Sequence, residues 1–301
     1  MTVLSPTAPQ PSAVAAALRR NSLGIPSISF FLLSLVGPLL VVAGVVPTFF
    51  AVTGLVAAPA FFLAVGVVLG LFVVGYVAMS RRITNAGAFY AFVRFGLGRP
   101  LGVAAALVAL AAYNMLQLGL YGMFGPTMQS WAADNLGWHL PWWGWALIAW
   151  AVVAVLGLRE IKLSARVLAV LSLVEIVVII AISVAGLAHP AGGQVSFTTL
   201  SPTNLLVHGV GAAGVMATLG FVGFENAPVF AEEAKDHRRT VAVATYLILA
   251  VITLVYVVAS LAMTMHYGAG QVVSVAGQQG PEMLFTLVPV ACWPTSVGRC
   301  S

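Results

Sequence analysis

Two carboxylates stand where carboxylates are costly. Glu175 lies nine residues beyond Arg166 in an otherwise apolar run, about 13 Å along a helix. Glu225 follows directly on Gly220-Phe221-Val222-Gly223-Phe224, and no Lys or Arg falls in any apolar run to neutralise either acid. Acidic groups at membrane depth are expensive to hold charged and mark proton relays and ion pathways, so Glu175 and Glu225 are the candidates for carrying a coupled proton. The plainer alternative is a protonated Glu making one hydrogen bond between helices.

The chain also carries two clusters of helix breakers. One is Gly37-Pro38 with Gly44-Val45-Val46-Pro47; the other runs Gly209, Gly211, Gly214, Gly220, Gly223 and Pro228. Each proline lacks an N–H and clashes with the carbonyl four residues back, here Ser34, Ala43 and Phe224. Freed backbone at membrane depth is tolerated only where protein or a water-filled cavity satisfies it. Gly/Pro-interrupted spans in corresponding places of two halves point to a transporter binding site. Ordinary kinks and small-residue packing are the alternative. The candidate substrate contacts are Gly37, Pro38, Leu39, Gly44, Gly220, Phe221, Gly223 and Phe224. Gln117 and Tyr121 join them from a polar stripe, Asn114, Gln117 and Tyr121, with Tyr113 beside it, on one face of an apolar helix.

The elements that must position these groups are membrane spans. Of 301 residues, 61% are apolar and 7% charged, against about 25% charged in soluble domains. That excludes a soluble enzyme, a nucleic-acid-binding domain and a disordered scaffold. About 20 apolar residues cross a bilayer, and the sequence predicts seven spans, at about 27–50, 56–80, 101–126, 141–158, 167–188, 206–231 and 240–264. A weaker amphipathic stretch follows at about 280–292. Twelve of the thirteen Lys/Arg fall in alternate connections, whereas 51–55, 127–140, 189–205 and 265–279 have none. The positive-inside rule then puts the N-terminus in the cytoplasm. The first apolar run is too long for a signal-peptide core and is expected to remain as a span. Trp138, Trp142, Trp143 and Trp145 suit an interfacial aromatic belt.

Catalytic and cofactor motifs are missing. His139, His189, His208, His237 and His266 have no ligand spacing, Cys292 and Cys300 match no metal site, and no HExxH, CxxC, P-loop or GxSxG occurs. No enzyme, metal or cofactor is expected.

Two longer motifs carry a resemblance. Ser80-Arg81-Arg82-Ile83-Thr84-Asn85-Ala86-Gly87-Ala88-Phe89-Tyr90-Ala91-Phe92-Val93, followed by Gly96-Leu97-Gly98-Arg99-Pro100-Leu101-Gly102, resembles the loop after the second span of permeases in the amino acid–polyamine–organocation family. Gly220-Phe221-Val222-Gly223-Phe224-Glu225, continuing through Glu232-Glu233-Ala234-Lys235-Asp236-His237-Arg238-Arg239-Thr240, resembles that family's unwound sixth helix and the turn after it. The resemblance implies an all-α polytopic membrane protein of the leucine-transporter type. That fold has two inverted five-helix repeats and holds substrate between broken first and sixth helices. Pro38-Leu39-Leu40 stands where the family commonly has a Gly-Ser-Gly-type turn that binds the substrate carboxylate; this proline variant resembles one bacterial branch. His237 and Ala242 stand where many relatives have proline.

The expectation is therefore a proton-coupled amino acid or amine permease in the cell membrane, working by alternating access. Its organisation would be a cytoplasmic tail (1–24), a first repeat (25–190), the start of a second (191–265), and an extracellular amphipathic segment with a tail (266–301). Seven spans of a usual ten plus two suggest a C-terminally truncated permease. The alternative is a non-transporting membrane fragment with at most a structural or interaction role.

Overall fold

The computed structural model describes residues 23–83, 88–158, 165–193, 196–231 and 233–287. The tail with Arg19 and Arg20, residues 84–87 of the first motif, the connection 159–164, Glu232, and the segment with Cys292 and Cys300 lie outside the described residues, as do the side chains of Phe89, Arg166 and His237.

The first span is built in pieces. Helix α1 (Ile25–Val36) ends at Gly37, which takes φ 60° and ψ 65°. A single α-turn, Pro38–Leu40, and a π-turn, Val41–Val45, lead into α2 (Val46–Thr53). The π-turn lies just ahead of Pro47, whose missing N–H leaves the Ala43 carbonyl without its α-helical partner. Next come α3 (Ala58–Ser80), α4 (Ala88–Leu97), α5 (Arg99–Leu136), α6 (Trp142–Leu158) and α7 (Ala165–Ala188). The sixth span is α8 (Val210–Leu219), a turn through Gly220–Gly223, and a 3-10 helix, Phe224–Phe230. Helix α9 (His237–Tyr267), α10 (Val272–Gln279) and a 3-10 stretch, Gly280–Leu287, complete the described chain.

Among the described residues, six of these segments are long and apolar enough to cross a membrane, and the protein is a multi-pass, all-helical membrane protein. The expected span at 141–158 is found as α6, an apolar helix of 17 described residues that ends where the described chain breaks off. The third span is longer than expected. Helix α5 runs on past Pro126 for 38 residues in all, so most of the expected 127–140 connection is helical. Thr127 there donates its hydroxyl to the Met123 carbonyl at 2.9 Å.

The core gathers the first, second and seventh spans, with the broken sixth and α7 packed against them. Phe49, Phe61, Phe62, Phe221 and Tyr256 form its aromatic centre, with neighbouring ring centroids 5.4–6.3 Å apart. Such offset and edge contacts add to area burial. Helices α5 and α6 differ: α5 buries only Gly102, Gly125 and Ala132, and α6 only Gly144. A Cβ on Gly125 would lie 2.5 Å from the Trp142 carbonyl oxygen, so glycine is what lets these two helices meet.

A short parallel bridge ties the start of the first span to the turn before the seventh. The Leu23 N–H donates to the Glu233 carbonyl and the Lys235 N–H to the Leu23 carbonyl, each at 3.0 Å.

Candidate functional site

The two breaks lie against each other. Gly223 has φ 116°, and a Cβ there would fall 3.2 Å from the carbonyl of Leu35 and the N–H of Val36, the last turn of α1. A side chain would therefore strike backbone, and the φ value is one that L-residues rarely adopt. Gly220 is equally confined: a Cβ would meet Val41 at 2.9 Å and Phe62 at 3.2 Å. In the π-turn, a Cβ on Gly44 would collide with the Met123 methyl of α5. Phe31 of α1 stacks on Phe230 of the 3-10 helix at 5.3 Å, closing the contact on one side.

Each break receives one membrane carboxylate. Glu225 is buried, and its Oε2 accepts the Gly223 N–H at 2.8 Å. Gly223 caps the 3-10 helix and Glu225 reaches back to it, the same logic by which an acidic residue in the first turn satisfies a cap N–H. The other carboxylate oxygen, Oε1, accepts from the Tyr113 hydroxyl of α5. Tyr76 of α3 donates to the Glu225 backbone carbonyl. Asn226 donates from Nδ2 to the Gly223 carbonyl at 3.2 Å and to the Tyr113 hydroxyl at 3.5 Å. The sixth-span break is thus held by groups from three elements.

The first-span break is held more loosely. Half-buried Glu175, on α7, accepts the Leu39 N–H at Oε2 across 3.5 Å, the outer limit of a hydrogen bond. Among the described residues its Oε1 makes no hydrogen bond. Leu39 lies in the first turn after Gly37, where unpaired N–H groups and the helix dipole favour an anion.

These contacts unite Gly37, Pro38, Leu39, Gly44, Gly220, Gly223, Glu175 and Glu225 around the paired breaks. Phe221 and Phe224 are also there but face inward: Phe221 sits between Phe62 and Tyr256, and both phenylalanines are buried. Gln117 and Tyr121 hydrogen-bond to each other at 2.7 Å, and Asn114 returns its amide to the Leu110 carbonyl. Asn114 and Gln117 are exposed, and no hydrogen bond links the stripe to either break among the described residues. Sequence reasoning placed Tyr113 only beside the stripe and passed over Tyr76 and Tyr256. Tyr76 and Tyr256 each interrupt a long apolar helix, which is the signal that was available. The Tyr256 hydroxyl is buried without a hydrogen-bond partner among the described residues.

The Glu-Glu-Ala tract and the Arg-Arg-Thr turn also have local roles. Glu233, Ala234 and Lys235 form the bridge to Leu23, and Asp236 caps α9 by accepting the N–H groups of Arg238 and Arg239 at 3.1 and 3.2 Å.

A family model described as amino acid permease matches residues 23–290. No curated protein and no solved structure matches the chain.

Proposed function

Because the chain belongs to the amino acid permease family, we propose that it is a secondary transporter moving an amino acid or related amine across the cell membrane by alternating access, with a proton as the coupling ion. On this reading the N-terminus is cytoplasmic, residues 25–190 form the first inverted repeat of a leucine-transporter-type fold, and residues 191–265 begin the second. The substrate would lie between the broken first and sixth spans, against the backbone near 37–44 and 219–225.

One observation carries the proposal: each break offers an N–H to a carboxylate, and the two carboxylates are held differently. The Leu39 N–H is where a substrate carboxylate would bind, and Glu175 already occupies it through one long bond. A proton arriving on Glu175 would cost that single contact, freeing the amide for substrate. Glu225 has both oxygens engaged and would keep the sixth break in shape. Proton uptake and substrate entry are then the same event at Leu39, which couples them.

The test compares cells lacking the gene for this chain with complemented cells, using labelled amino acids and a range of external pH. Loss of uptake of one amino acid class, restored by the wild-type gene, supports transport. Complementation by Glu175→Gln should restore substrate exchange but not accumulation driven by a pH gradient. Gradient-driven accumulation retained in Glu175→Gln would refute the coupling step.

A second reading is a non-transporting membrane protein that binds partners. The exposure of Asn114 and Gln117 on α5 favours it, because polar groups at membrane depth need protein or water. Unchanged uptake of every amino acid in the deletion strain would select it.

A further inference from the structure

Two hollows of opposite character open along the seam between α3 and α9. Where α3 finishes and α9 begins, Arg81, Arg82, Arg238 and Arg239 line a cavity of about 480 Å³ floored by Ala242 and Val243. All four arginines are exposed, and among the described residues none is drawn into an ion pair. Asp236 beside them turns its Oδ1 to the backbone N–H groups of Arg238 and Arg239 instead. Further along, Leu63, Val67, Gly70, Tyr246, Ala250 and Thr253 border an apolar groove of about 370 Å³. The hollows share a stripe. On α9 it runs Arg239, Val243, Tyr246, Ala250, Thr253 and Val257, at steps of three and four residues, so one helix face lines both. Neither hollow touches the paired breaks, and the proposed transport cycle uses neither.

We propose that this seam binds one anionic phospholipid, with its phosphodiester over the four arginines and an acyl chain along the groove. Charge complementarity identifies the headgroup. Basic pockets between membrane helices near a bilayer boundary take phosphate headgroups, and the guanidinium fork matches phosphate oxygens in pairs. The length of the groove identifies the tail. From Val243 to Thr253 the helix rises about 15 Å, the depth of one leaflet in a hydrocarbon core roughly 30 Å thick. Inorganic phosphate shares the headgroup chemistry but has no use for the groove. A zwitterionic lipid fills the groove but brings its own cation to four arginines.

The experiment is native mass spectrometry of the purified chain in detergent, offered dioleoyl phosphatidylglycerol and dioleoyl phosphatidylcholine at equal concentration. One phosphatidylglycerol should be retained in about tenfold preference, and Arg82→Gln with Arg239→Gln should erase that preference while circular dichroism is unchanged. Gly70→Leu gives an arm independent of charge and of that variant's folding. A Cβ on Gly70 meets nothing within 4 Å, so a side chain there starts into open space and leucine would extend into the groove. It should weaken dioleoyl phosphatidylglycerol about tenfold and leave the short-chain dihexanoyl form unaffected. Equal retention of the two lipids, complete displacement by millimolar inorganic phosphate, or unchanged retention in either folded variant would overturn the proposal.

Discussion

At the sixth-span break the carboxylate that receives the freed N–H lies two residues away in sequence, whereas at the first-span break it comes from Glu175, 136 residues on. Closing a two-residue loop costs little chain entropy, so Glu225 can cap Gly223 with little help from the rest of the fold. The bond is 2.8 Å and is reinforced at the other oxygen by Tyr113. Glu175 reaches Leu39 only because α7 packs beside α1, and the bond is 3.5 Å. The same physical problem, a helix opened inside the membrane, has a fixed local solution in one span and a releasable tertiary one in the other. On the proposed transport cycle the fixed one would serve as a firm wall and the releasable one as the group that lets go.

The largest expected effect strikes the firm break. Gly223→Leu forces a side chain into φ 116° and onto the α1 backbone 3.2 Å away, which together should cost about 3 kcal/mol or more and abolish uptake. Gly37→Leu meets nothing closer than Leu40 at 3.7 Å, with φ 60°, so about 1–2 kcal/mol of backbone strain is expected. Thermal unfolding of the two variants in detergent is the check; equal losses would break the contrast.

A smaller effect separates the acids. Glu225→Ala leaves the buried Gly223 N–H without its acceptor, worth about 1–3 kcal/mol, while the hydroxyl of exposed Tyr113 can turn to water and adds little. Glu175→Ala removes one long bond and should cost under about 1 kcal/mol. Denaturant titration orders them, and a reversed order would mean that the first break is the fixed one.

The smallest effect tests whether the α5 stripe belongs with either break. Gln117→Leu removes an exposed bond to Tyr121, and stability should stay within about 0.5 kcal/mol. A larger loss in melting experiments would tie Gln117 to the site in a way its hydrogen bonds do not.

The spans and both breaks were legible in the sequence because apolar run length and Gly/Pro chemistry are local properties. Glu225 beside Gly223 was legible for the same reason. The partner of Glu175 was not: nothing near residue 175 names Leu39, and only the packing of α7 on the first span brings them together. Tyr113 was seen on its helix but not matched to Glu225, 112 residues away. The length of α5 was underestimated because the apolar run fades after Pro126 into a more polar stretch, yet the helix carries on to Leu136. The expected span at 141–158 needed no such revision, because its apolar run and the helix Trp142–Leu158 nearly coincide.

The pairing of Leu23 with Glu233 and Lys235 is a hasp. It fastens the leading end of the first span to the strap that joins the sixth to the seventh. Any swing of α1 alone about Gly37 would have to lift it, and two backbone bonds are together worth about 1–3 kcal/mol net. Taken alone, that strength would leave the unfastened form at about 1–15% of molecules, and the Phe31–Phe230 stack adds to what a swing must break. If α1 and the 3-10 half of the sixth span instead move as one lever, the hasp stays closed and sets their common hinge.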